Sequence, residues 1–231
     1  MIRSKLKKMD VREKFEKMTA EYGEDNLNER PREHYLDQYK AADPMDMMMR
    51  TKIPYDEGTG EFHVRMCGKG YYVSYPDFNI RKEDESDTSY HVLLEFPKAQ
   101  TYVMRYLTES RFTPDHGQTV TFRDIKNGEL YFKPFQGRCL MRLKYGFGFK
   151  IDQFEKGMQR MGGKKVRFGD AGYEFEFLPG LKMTFILWEG DDEFEPNSQI
   201  LFSDNFGTVL ATEDCVVAGD ISITSLKGLA Q

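Results

Sequence analysis

The chain has 231 residues, with 33 basic and 38 acidic side chains, three cysteines and one tryptophan. That length suits one large domain or a domain with an appendage, and 39% hydrophobic with 14% aromatic content excludes general disorder. A net charge of -5 gives no electrostatic reason to expect nucleic acid. The run Met183–Trp188 falls far short of the roughly 20 apolar residues of a membrane-spanning helix, so no membrane association is expected. The basic start Met1–Lys8 has no apolar stretch behind it and does not read as a signal peptide. Cys67, Cys139 and Cys215 are scattered, which argues against a disulfide scaffold and against a metal or iron–sulfur cluster held by this chain alone. A cytoplasmic location is the expectation.

In chain order, residues 1–30 read as a helical appendage. Asp10 and Glu13 form a capping-box pattern, Val11, Phe15, Met18 and Tyr22 recur at helical spacing, and Gly23 ends the run. This apolar face, residues 10–22, packs on the chain's own domain or docks a protein partner or a second copy. Residues 31–231 read as a single α+β domain. A helix is expected from Pro31 to Ala42, and Asp43-Pro44 then caps a short helix holding Met45, Met47, Met48 and Met49. The methionines read as core filler. From Tyr55 the period becomes two: Phe62, Val64 and Met66 alternate, Gly68-Lys69-Gly70 turns, and Tyr71–Tyr75 return.

Arg81–Asp87 reads as a solvated loop, and a helix carrying Val103, Met104 and Leu107 starts at Pro97. Asn127-Gly128 predicts a hairpin between strands at 120–125 and 130–132. Helices are expected over 134–145 and 151–161, the second ending at Gly162-Gly163. Strands follow over 165–168, 173–178 and 183–188, with a closing strand over 216–223. Helices and antiparallel hairpins without a βαβ rhythm predict an α+β fold.

Gly157–Lys165 has the glycines of a phosphate loop but not its order, and its glycines end a helix instead of opening one. The four histidines lie in different segments without metal-ligand spacing, and no nucleophile elbow is present. The densest chemistry is Trp188-Glu189-Gly190-Asp191-Asp192-Glu193-Phe194-Glu195. Such crowded carboxylates can hold a hard divalent cation, raise one another's pKa to supply a general acid, or form a solvated turn whose acids cap a following short helix.

Phe168-Gly169-Asp170, Leu178-Pro179, Leu187–Phe194, Ile200-Leu201-Phe202 and Thr212-Glu213-Asp214 form one continuous pattern. It resembles the prokaryotic domain-of-unknown-function family 3786, with further matches at Tyr55-Asp56, Gly60-Glu61-Phe62, Gly70–Val73, Tyr106-Leu107, Tyr131-Phe132 and Pro134-Phe135. The resemblance spans about residues 31–226. It implies no established activity and a setting in anaerobic prokaryotes. Some relatives carry an iron–sulfur-binding segment; this chain lacks its clustered cysteines, so no cluster carries over. Ser203 also displaces the aspartate that usually follows Leu201-Phe202 to Asp204.

The leading expectation is an accessory or ligand-binding domain. Its surface would comprise Asp170, Trp188, Glu189, Asp191, Asp192 and Glu193, with Glu213 and Asp214 added, the tryptophan either closing the core or walling a cationic or metal-bearing ligand. Two rivals stand beside it. One is a metal-assisted hydrolase using Asp191–Glu195; the other is a structural subunit docked through residues 10–22.

Overall fold

The computed structural model describes residues 24–209 and 211–231, with side chains from Arg32 onward. The helix expected over residues 10–22 lies outside this range. Helix α1 (Glu24–Ala41) begins upstream of Pro31. Helix α2 (Pro44–Thr51) starts as its sequence predicts, with the Asp43 carboxylate accepting from the Met45 amide at 3.0 Å and proline in the first turn.

Strands β1 (Tyr55–Asp56), β2 (Glu61–Met66), β3 (Lys69–Ser74) and β4 (Ile80–Lys82) form an antiparallel sheet in that order. Phe62, Val64 and Met66 point into the core while their neighbours face outward. The β2–β3 turn sits one residue earlier than the glycines suggest, at Cys67-Gly68, and Lys69 and Gly70 belong to β3. Both turn residues have positive φ (49° and 78°), as a tight two-residue hairpin requires. The Cys67 amide also donates to the Phe177 carbonyl at 3.0 Å, tying this sheet to the second one.

Helices α3 (Val92–Glu95) and α4 (Pro97–Glu109) follow, the latter opening at proline as expected. The hairpin predicted at Asn127-Gly128 does not form. Strand β5 (Thr119–Thr121) pairs instead with a distant strand, and Asn127, at φ 62°, initiates α5 (Gly128–Phe135). A π-helical turn (Gln136–Leu140) carries α5 directly into α6 (Met141–Phe147). Phe135, Cys139, Leu143 and Phe147, four apart, are all buried and form one apolar stripe along this helical run, which includes the helix expected over 134–145.

Helix α7 (Ile151–Arg160) ends at the predicted glycine, Gly162 at φ 71°. Strands β6 (Lys164–Val166), β7 (Ala171–Leu178), β8 (Leu181–Trp188) and β9 (Asn197–Ser203) complete an antiparallel sheet ordered β5-β9-β8-β7-β6. After the short α8 (Phe206–Val209), the closing strand predicted over 216–223 is instead a long helix, α9 (Thr212–Leu229). Its β-branched residues suggest a strand, but α9 is buried on most sides and so has no clear one-sided period. The fold is α+β, with two antiparallel sheets and α9 threaded between sheet and helices.

A Cβ at Gly68 would lie 2.2 Å from the Met161 carbonyl oxygen, on a backbone already in the left-handed region. Gly68→Ala should therefore cost about 2–4 kcal/mol, read as a lower urea midpoint. An unchanged midpoint would mean that the turn and the end of α7 are not packed this tightly.

Candidate functional site

On α4 the side chains of Lys98, Thr101, Tyr102, Arg105 and Glu109 fall three or four residues apart and share one face, while Val103, Met104 and Leu107 are buried in the core. That polar face meets the first turns of α9. There Glu213 and Asp214 occupy the amino-terminal turn, where carboxylates offset the helix dipole. Tyr35 from α1 and Arg138 from the π-helical turn close the sides. The result is a cleft of about 330 Å3 lined by Tyr35, Pro97, Lys98, Arg138, Glu213 and Val217 among others. A smaller recess of about 160 Å3 adjoins it, bounded by Tyr106, Glu109, Ser110, Val209 and Ala211. Tyr102, Arg105 and Asp214 line both and stand between them.

The dividing wall is an ion pair. Arg105 Nη1 donates to Asp214 Oδ1, and Arg105 also reaches Glu109 Oε2 at 3.2 Å. The guanidinium lies 5.2 Å from the centre of the Tyr35 ring. Asp214 is buried, and burial raises its pKa above the ordinary carboxylate value although Arg105 pulls the other way. Burial opposes the Arg105 charge, but Asp214, Tyr35 and Glu109 outweigh it and hold its pKa up. Beside the pair, Tyr102 is 4% exposed and its hydroxyl has no hydrogen-bond partner among the described residues. Burial, with the nearby Cys215 and Asp214, pushes the phenol well above its usual range, so it remains a neutral donor. The Tyr106 hydroxyl is likewise buried without a partner.

Of the residues expected from sequence, Glu213 and Asp214 belong to this cleft. The others lie elsewhere. Trp188 ends β8 with 40% of its surface exposed. Asp170 is brought to the same strand end, where its carboxylate accepts from the Glu189 amide at 2.8 Å. Asp191 closes a turn on itself, accepting from the Glu193 and Phe194 amides at 2.8 and 2.7 Å, which lower its pKa. Glu195 turns to Lys144 at 2.7 Å, and Glu189, Asp192 and Glu193 face solvent. No helix follows for these acids to cap, because β9 begins at Asn197.

The two groups are far apart. Lys227, near the end of α9, lies against Gly146, next to the Tyr145 that reaches Glu195. Asp214 sits at the other end of that helix, roughly 20 Å away along its axis. The acids after Trp188 thus serve separate local partners or solvent and do not make the shared ligand sphere that the hydrolase expectation needs. Among the described residues no group of three or more histidine, cysteine or acidic side chains is placed to hold a metal ion.

Tyr35, Lys98, Tyr102, Arg105 and Arg138 were not singled out from sequence. The polar stripe on α4 is a signal available in the sequence, but with residues 216–223 read as a strand nothing sets Glu213 and Asp214 on a helix facing it.

A family model described as Domain of unknown function (DUF3786) matches residues 43–225. The matched stretch contains the cleft residues of α4 and α9 and Arg138, and leaves out Tyr35. No curated protein and no solved structure matches the chain.

Because the pKa of Asp214 is raised above 3.8, the folded chain binds more protons than the unfolded one between 3.8 and the raised value. Stability contributed through this group therefore falls as pH rises through that window. Asp214→Asn removes this dependence, so its melting midpoint should gain on that of the parent as pH increases. A constant difference across the window would show that Asp214 titrates as an ordinary carboxylate.

Proposed function

Since that match covers most of its length, the chain belongs to the DUF3786 family, and we propose that it is a ligand-binding domain whose site is the cleft between α4 and α9. The observation that carries this reading is the buried Tyr102 hydroxyl, without a partner, beside the Arg105–Asp214 pair. A buried hydroxyl left unpaired costs about 1–3 kcal/mol, and such a cost is understandable where a bound molecule supplies the missing acceptor. A second unpaired phenol at Tyr106 and a neighbouring carboxylate with a raised pKa support the same place. The cleft combines an apolar wall of Tyr35, Pro97 and Val217 with a few convergent polar groups, the usual make-up of a small-molecule site.

An accessory role in an anaerobic prokaryotic cytoplasm belongs to this proposal. Cys67, Cys139 and Cys215 are buried free thiols whose pKa burial pushes up to about 12, so they suit a reducing compartment and serve as packing, not as nucleophiles.

Two measurements test the reading. Amide chemical-shift mapping with a panel of small aromatic and polar fragments should perturb Tyr102, Arg105, Asp214 and Val217; shifts confined to other surfaces would overturn it. Tyr102→Phe should stabilise the free chain by about 1–3 kcal/mol while weakening fragment binding. A destabilised variant would mean that the hydroxyl already has its partner in the free protein.

A further inference from the structure

We infer that the ligand of this cleft carries an oxyanion group on an apolar body, with the oxyanion held by Lys98 and Arg138. The inference rests on the cleft being the binding site and adds the chemistry of what binds there.

Charge is unevenly distributed around Asp220. This carboxylate is buried, 6% exposed, and serves three cations at once. Arg142 takes Oδ1, Arg138 reaches Oδ2 at 3.1 Å, and the Lys98 ammonium stands 3.8 Å from Oδ2. Arg142 has a further acceptor in the Thr224 hydroxyl at 3.3 Å. Arg138 and Lys98 are differently placed, because both line the cleft and keep 41% and 49% of their side chains exposed. Arg138 spends one of its five N–H donors on Asp220. Lys98 lies beyond hydrogen-bond length from that carboxylate, and its other neighbour is the face of Phe96 at 5.8 Å.

The remaining charged groups of the cleft do not absorb these donors. Asp214 and Glu109 are taken by Arg105. Glu213, exposed on the rim, makes no ion pair among the described residues. Over the whole cleft four cations (Lys98, Arg105, Arg138, Arg142) balance four acids (Glu109, Glu213, Asp214, Asp220). The balance is uneven: Arg105 serves two acids, whereas Lys98 and Arg138 share the one buried Asp220 with Arg142 and keep donors open to the cleft.

A planar or tetrahedral oxyanion matches what they offer: a fork of N–H donors from arginine beside a point charge from lysine. Tyr35, Pro97 and Val217 then give the ligand's body an apolar wall, with Tyr102 lining the cleft beside it.

The test titrates the full chain with benzoate, phenyl phosphate, the neutral isostere benzamide and inorganic phosphate, following the amides of Lys98, Tyr102, Arg138 and Val217. Benzoate and phenyl phosphate should bind at least about tenfold tighter than benzamide, and their order tells a carboxylate site from a phosphate site. Inorganic phosphate, lacking the body, should bind more weakly than phenyl phosphate. Lys98→Gln should weaken both aromatic anions about tenfold and leave benzamide unchanged, with a melting midpoint near that of the parent because Lys98 is half exposed. Arg138→Gln provides a second, independent loss.

Benzamide binding in the cleft as tightly as benzoate would overturn the oxyanion assignment and leave the cleft standing as the site. Anion binding insensitive to both substitutions would overturn it as well. Absence of any shift at Tyr102 and Val217 with every probe would overturn the assignment and the binding site together.

Discussion

The arrangement depends on two buried carboxylates of α9 and the cations that neutralise them. A carboxylate taken out of water must be paired or it gives up its charge, so Asp214 and Asp220 hold α9 in one rotation and one register. They lie six positions apart in the chain, which places them about 120° apart around the helix axis. Asp214 accordingly meets Arg105 on α4, whereas Asp220 meets Arg138 and Arg142 on the π-turn and α6, with Lys98 at the start of α4. One helix is thereby clamped against two others by charge, with apolar packing filling the space between.

The packing itself relies on how thin α9 is. Gly219 approaches Cys139 so closely that a Cβ would lie 2.8 Å from its sulfur. Ser222 fits between Cys67 of the first sheet's turn and Met183 of the second sheet, at 3.9 and 3.6 Å. Gly228 lies flat against the Tyr90 ring. Small residues let four neighbouring elements approach one helix, and the Cys67 amide bond to Phe177 then joins the sheets directly. At the amino-terminal turns of α9 the neighbours change from small and apolar to tyrosine, lysine and arginine. The cleft opens there, at the end of the clamp, and is lined by the same arginine and carboxylate that build it.

This position separates two uses of acidic residues in one chain. After Trp188 the carboxylates are exposed to water, which screens them; Asp191 satisfies amides of its own turn, and Glu195 reaches Lys144 of α6. At Asp214 and Asp220 the carboxylates are buried, few and each tied to a distant cation. Density of acids along the chain marked the first group; burial and convergence mark the second.

Local chemistry was legible in the sequence. Asp43-Pro44 opens α2 and Pro97 opens α4 because a capping carboxylate and a fixed φ act over three or four residues. The alternation of Phe62, Val64 and Met66 and the stop at Gly162 are equally short-ranged, and the pattern from Phe168 to Asp214 identified the family. Only the tertiary structure decided what Asn127-Gly128 and residues 216–223 become. Both carry turn or strand signals; Asn127 instead leads into α5, which begins at Gly128, and residues 216–223 are helical because burial against distant elements outweighs local propensity. The candidate cleft was legible only in part for the same reason: Glu213 and Asp214, which line it, were singled out from sequence, but Arg105 lies 109 residues from its partner. Sequence determines which side chains carry charge. Which of them leave water, and which cation then stands beside each, is decided by how the helices pack.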